Sequence, residues 1–258
     1  VFSGATIPAL EVVTGSPVVV DLVSSLVDKS LVRSIEEAGA RRFTMLLMIK
    51  EFAASRLADT PEPQQAIRDA HARYFAAMAA RSKEDLRSDR RQAVIALGSE
   101  VGNLETAWEH WAGEGVAERV AEMIEPMWAL YESKGWYRAA IELAGRSADV
   151  MESHPDLAAE QLAVRMGMAR AIMAFRGYGV EAEAAFTRAL EAADVVGTPA
   201  QRFPVLRAMA TYMMGTGRFQ ETNEQGEELL RLGEETGDES MLIEGHYIFG
   251  ISNMFMGD

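Results

Sequence analysis

The sequence predicts a mainly α fold, a helix–helix–hairpin–helix unit followed by an α–α superhelix of stacked helical hairpins with a repeat of about 40 residues. Three observations predict it. Glycines at 135, 177, 217 and 257 recur at spacings of 42, 40 and 40. Each follows an apolar stretch at helical spacing, and the first three precede small residues set four and three apart on one helical face. Ahead of the repeats, the apolar period changes from that of helices to that of short strands near residues 31–45 and then returns.

Residues 6–13 read as a short helix closed by Gly15 and Pro17, and residues 18–29 as a second helix with Leu22, Leu26 and several valines on its faces. Residues 31–35 and 42–45 are strand candidates, with 36–40 between them as a loop carrying a glycine turn signal. A helix over 47–57 places Met48, Phe52 and Leu57 near one face. This order is that of a winged-helix domain lacking its first element, so residues 1–58 are expected to form a partial winged helix. Asp59-Thr60-Pro61-Glu62-Pro63 reads as a linker, and 59–117 as linker plus connecting helices in which Trp108 and Trp111 pack onto the first repeat.

Residues 118–258 are expected to form three and a half hairpins. Glycine ends the first helix of each by adopting a left-handed conformation that a Cβ disfavours. Small residues then let the second helix approach: Ala140, Ala144 and Ser147; Ala182, Phe186 and Ala189; Thr222, Gly226 and Leu229. The first helices carry matching apolar rows, Ile124, Met127, Trp128 and Tyr131 in one and Leu206, Met209, Ala210 and Met213 in another, whereas Arg170 falls where a small residue is wanted. The last repeat stops after one helix, leaving Tyr247, Phe249, Ile251 and Phe255 without a covering neighbour. With Val1 in place of an initiator Met, this predicts a segment of a longer protein, truncated at its C-terminus.

Composition narrows the function classes. A chain of 258 residues with 48% hydrophobic and 25% charged residues has the balance of a folded, soluble protein. Zero cysteines removes disulfide frameworks, zinc–thiolate sites and cysteine nucleophiles, and fits a reducing, cytoplasmic setting. No apolar run of membrane-spanning length occurs, and no signal peptide is visible. The net charge of −14 is unevenly spread: residues 1–58 carry 6 acids and 6 bases, 59–117 carry 10 and 7, and 118–258 carry 23 and 12. Nucleic acid is attracted by clustered cations, so the repeat region has the wrong field for it. On the second helix Asp21 and Asp28 oppose phosphate, leaving Arg33, Arg41 and Arg42 as possible phosphate contacts from the wing, beside Glu36 and Glu37.

Catalytic and metal signatures are sparse. His71, His110, His154 and His246 form no close ligand pair; His154-Pro155-Asp156 reads as an inter-helix turn, and Glu227-Glu228 and Glu234-Glu235 as a solvated helix face. There is no Gly-x-Ser-x-Gly elbow and no Gly-x-x-x-x-Gly-Lys-Ser/Thr phosphate loop; Gly215-Thr216-Gly217-Arg218 belongs to a repeat turn. Neither a catalytic residue nor a metal ligand is assigned. Repeat phase instead points to a groove displaying Arg207, Thr211, Met214, Tyr247, Ile251 and Met254, rich in the adaptable methionine side chain.

Two resemblances sharpen this reading. The small residue, turn glycine and Ala–aromatic–Ala trio resemble the tetratricopeptide repeat family, in a version longer than its usual period. Leu26-Val27-Asp28-Lys29-Ser30-Leu31-Val32, Arg42-Phe43-Thr44-Met45-Leu46 and Ile49-Lys50-Glu51-Phe52-Ala53 are similar to the winged-helix segment of bacterial STAND-type signalling ATPases, which include LuxR-type transcriptional regulators. His71-Ala72-Arg73-Tyr74-Phe75 and Glu100-Val101-Gly102-Asn103-Leu104 follow in that family's order. The resemblance implies a non-catalytic sensor or scaffold segment of a multidomain signal-transducing ATPase that regulates transcription. It implies ATP bound by an upstream domain and no cofactor in this segment. The partners implied are neighbouring domains, a protein or peptide, or a small-molecule inducer, with no membrane and no direct nucleic-acid contact. The alternatives are a DNA-binding protein using the winged helix and a stand-alone tetratricopeptide adaptor.

Overall fold

The computed structural model describes residues 2–37, 39–59 and 61–257. It is 81% helical, with one two-stranded sheet among the described residues. The chain divides into two compact units, 1–134 and 135–258.

The first unit opens with α1 (Ile7–Thr14), whose N-terminus is capped by the Thr6 hydroxyl accepting from the Ala9 amide at 3.4 Å and whose end is turned by Gly15 at φ +63°. After α2 (Val19–Asp28) come β1 (Val32–Glu37) and β2 (Ala40–Met45), paired antiparallel with Val32 opposite Met45 and Glu37 opposite Ala40. The strands run further than the sequence suggests. Glu36, Glu37 and Ala40, expected in the loop, are ladder residues, because the left-handed Gly39 (φ +77°) turns the chain tightly; Ala38 lies outside the described residues. Glu36 thereby faces Arg41 across the ladder, 3.5 Å away. Ala5 adds a backbone bridge to Phe43 on the other edge of β2.

α3 (Leu47–Ala58) follows, and none of its residues is buried; Met48 is 80% and Phe52 63% exposed. α4 (Pro61–Ser88) starts within the stretch read as a linker, which accords with proline's tolerance of a helix's first turn. Thr60 lies outside the described residues. α5 (Arg90–Ser99), capped by Asp89, α6 (Val101–Gly113) and α7 (Ala117–Lys134) complete the unit. α4 is its axis and packs against α1, α5, α6 and α7, with Ala72, Phe75, Ala76 and Ala79 in the core. Trp108 is buried on α6, which packs against α7.

The second unit is α8 (Tyr137–Met151), α9 (Ala158–Arg176), α10 (Val180–Val196), α11 (Pro199–Gly215), α12 (Phe219–Thr236) and α13 (Glu239–Met256). Each packs against the next, and α11 also touches α9 and α13. All nine residues of the three predicted small-residue trios are buried. Arg170 causes no conflict because it points outward. The glycines at 135, 177, 217 and 257 all have positive φ, and Gly197 and Gly237, which the sequence reading did not single out, close α10 and α12 in the same way. Two apolar clusters hold the hairpins together. One joins Ile172, Phe186, Met209 and Tyr212; the other joins Phe203, Leu206, Leu229, Leu232 and Ile248. Between α12 and α13 the backbones come unusually close: a Cβ on Gly226 would lie 2.9 Å from Phe249 Cα.

Candidate functional site

The six groove residues fall on two helices that touch. Arg207, Thr211 and Met214 occupy successive turns of α11, and Tyr247, Ile251 and Met254 successive turns of α13. Arg207 is not a free cation. Its Nε donates to the Glu244 carboxylate at 2.7 Å and ties the two helices together. Thr211 turns its hydroxyl back onto the Arg207 carbonyl at 2.9 Å. Tyr247 (54% exposed) and Met254 (64%) face outward, while Thr211, Met214 and Ile251 are half-buried. This face offers a flexible thioether, an amphipathic ring and one neutralised ion pair. Such groups suit an apolar peptide or small ligand better than a highly charged one.

The first unit holds a more tightly built polar centre. Arg42 on β2 is 4% exposed and forms a two-pronged ion pair with Glu100 at the start of α6; Nη2 reaches Glu100 Oε2 at 3.0 Å. The same Nη2 donates to the Gly4 carbonyl at 3.2 Å, and Nε lies 3.1 Å from Glu37. Asn103, fully buried one turn after Glu100, donates to the Gly4 carbonyl at 2.7 Å and to Glu100 at 2.6 Å, and accepts from the Ser3 amide at 2.8 Å. His71 on α4 stands 3.5 Å from Asn103 Oδ1, its ring edge-on to Phe2. Gly102 is required by the same packing, since a Cβ there would come within 2.5 Å of the Ser3 hydroxyl. The Glu-x-x-Asn motif thus fastens the segment before α1, the hairpin and α6 to one another.

This arrangement corrects the expectation for the wing. Arg42 is withdrawn from solvent and Arg41 pairs with Glu36. Of the three arginines considered for phosphate contact, Arg33 alone remains exposed with no ion pair among the described residues. The outward face of α2 shows Val20, Leu22 and Ser24 beside Asp21, and the helix carries no Arg, Lys, Asn or Gln to read base edges.

His71 has a pH consequence. Burial pushes its pKa down to about 4, against a smaller opposing effect from the Asn103 hydrogen bond, so the ring is neutral at pH 7. A histidine depressed below its unfolded value of about 6.5 is protonated more readily in the unfolded chain. Stability of the first unit is therefore expected to fall as pH drops from about 6.5 to 4 and to lose nothing further from this group below that. The full effect is about 3 kcal/mol. Urea titrations at pH 7 and pH 4 of the parent and His71→Gln chains check it. The parent should lose more stability than the variant, and equal losses would show that His71 does not titrate as described.

His110 Nε2 lies 2.9 Å from Asp69 Oδ1 but is angled away from a hydrogen bond. With His71, Arg68 and Glu109 it borders a cleft of about 310 Å3. His154 caps a short 3₁₀ turn, Pro155–Leu157, between α8 and α9, and its carbonyl accepts from Gln161. Among the described residues no group of three His, Asp or Glu side chains is placed to hold a metal ion, and no helix is long and apolar enough to cross a membrane.

The polar centre was legible in part. The Glu-x-x-Asn-Leu spacing marked Glu100 and Asn103 as notable, but nothing local in the sequence paired them with Arg42. A signal was present in retrospect: Asn103 lies beside Leu104 and in phase with Ala107, on the face of α6 that must be buried.

No family model matches the chain. It is similar to proteins named "Putative HTH-type transcriptional regulator" in Mycobacterium bovis and in Mycobacterium tuberculosis. Each is 30% identical over 135 residues, a stretch covering 48% of this chain and 15% of the relative. The chain therefore spans less than two thirds of the length of those curated relatives, and the likeness is to transcriptional regulators over about half of the chain.

Proposed function

We propose that this chain is a non-catalytic sensor and scaffold segment of a multidomain transcriptional regulator of the signalling-ATPase type. In this reading ATP is bound by an upstream domain, and the helical repeats take a peptide, protein or small inducer on the α11–α13 face. The observation that carries it is the presence in one chain of a buried polar centre and an adaptable apolar face. The polar centre joins the hairpin to α6 in the first unit. Adaptable, half-exposed apolar side chains lie on touching helices in the second. The likeness to named regulators supports the regulatory role. The burial of Arg42 and the exposed acids of α2, Asp21 and Asp28, weigh against the reading in which this segment grips DNA by itself.

The test has two parts. The purified chain should give no salt-dependent retardation of duplex DNA even at low ionic strength, where phosphate contacts are strongest. A retarded band whose affinity falls steeply with salt would favour the DNA-binding reading instead. In cells carrying the full-length regulator and a reporter, the double variant Tyr247→Ala and Met254→Ala should alter induced transcription several-fold. Both side chains are exposed, so the variant chain should keep its thermal midpoint. Unchanged induction would remove the face from the mechanism.

A further inference from the structure

α3 lies over an apolar pocket. Lys50, Ala53 and Leu57 on this helix and Leu26, Val32 and Phe43 on α2 and the hairpin line a cavity of about 210 Å3. The helix that roofs it buries none of its own residues. An apolar pocket of this kind gives an apolar ligand dispersion contacts that water does not match. Apart from the Ser3 and Thr44 hydroxyls and Lys50 the lining side chains are apolar, so a sugar or a phosphate ester would enter with most of its polar groups unpaired. One wall carries a cation: the Lys50 ammonium makes no ion pair and no side-chain hydrogen bond among the described residues. Apolar walls with a single uncompensated positive charge select a ligand with an apolar body and one anionic head. A cavity of about 150 Å3 admits benzene, so this one suits a body of roughly ten heavy atoms.

We propose that this cavity binds a medium-chain fatty carboxylate, its tail between α2 and the hairpin and its head on Lys50. The site is separate from the α11–α13 face and does not depend on what that face binds. It also touches the polar centre. Ser3 and Gly4 line the cavity, and the same two residues supply the amide and the carbonyl that hold Asn103 and Arg42. Occupancy would thus be felt where the hairpin meets α6.

Calorimetric titration of the intact chain with octanoate, octanol and octylammonium tests this. Octanoate should bind saturably and about tenfold more tightly than octanol, and octylammonium should not compete with it. Lys50→Met should abolish the tenfold preference while leaving octanol affinity within about twofold. Ala53→Phe, which fills the cavity from an exposed helix, should remove binding of both. Hydrogen exchange on the parent chain gives a readout that no variant can spoil by misfolding: octanoate should protect amides of α3 and residues 2–5, leaving α11 and α13 unchanged. Equal affinities for octanoate and octanol, octanoate binding untouched by Lys50→Met, or protection confined to other helices would each overturn the proposal.

Discussion

Glu100→Ala is expected to cost the first unit about 3–5 kcal/mol, the largest effect of any single substitution considered for this chain. The magnitude follows from what the change leaves behind. Arg42 and Glu100 are largely withdrawn from water, and their partners are each other, Gly4, Glu37 and Asn103. Hydrogen bonding to Glu100 and its negative charge outweigh burial and hold the Arg42 pKa above its ordinary value, so the guanidinium stays charged under any working condition. Removing the carboxylate leaves the buried guanidinium with only the half-exposed Glu37 on Nε and the Gly4 carbonyl on Nη2, and its Nη1 donor without an anion. Removing both ions is a different matter, because the desolvation of each is recovered. The double variant Arg42→Met and Glu100→Met should therefore lose clearly less than the sum of the two single changes. A double-mutant cycle by urea unfolding, followed by exchange of β2 and α6 amides so that the two units are not averaged, measures this. Additive losses, or a single-variant cost within about 0.5 kcal/mol of zero, would show the pair to be an ordinary surface contact.

The second large effect concerns Gly226. Alanine inside a helix normally gains about 1 kcal/mol over glycine, so a substitution judged on propensity alone would stabilise. Here the added methyl would meet Phe249 Cα and N at 2.9 Å, which are backbone atoms with no rotamer to yield. α12 and α13 would have to part along a contact that also includes Gly233 against Leu242 and Gly245 against Leu230. Gly226→Ala is accordingly expected to destabilise the second unit by about 1–3 kcal/mol. Gly250→Ala on α13, where a Cβ meets nothing within 4 Å, should instead stabilise by up to about 1 kcal/mol. Thermal unfolding of the two variants side by side separates packing from propensity. The packing account fails if both move the midpoint upward by similar amounts.

The outcomes divide along sequence distance. The buried trios and the helix ends at Gly15, Gly135, Gly177 and Gly217 were legible because they rest on local physics, a 3.6-residue period and a left-handed turn. The loop expected over 36–40 is shorter in the structure, with Glu36, Glu37 and Ala40 in the ladder, since strand ends depend on cross-strand partners such as Arg41 that a local pattern does not reveal. The sequence sets Met48, Phe52 and Leu57 near one face of α3, yet Met48 and Phe52 are exposed, because what covers a helix face is decided by its neighbours and not by its own sequence.

Of the candidate sites, the sequence by itself determined the repeat phase that puts Arg207, Thr211 and Met214 on one helix and Tyr247, Ile251 and Met254 on another. Only the tertiary structure decided that Arg207 is neutralised by Glu244, 37 residues away, and that Arg42 serves Glu100, 58 residues away, in place of a phosphate. Charge identity is written in the chain, but whether a charge is spent internally or offered to a partner depends on contacts between distant segments. Those contacts are fixed only when burial sets the cost of leaving an ion unpaired.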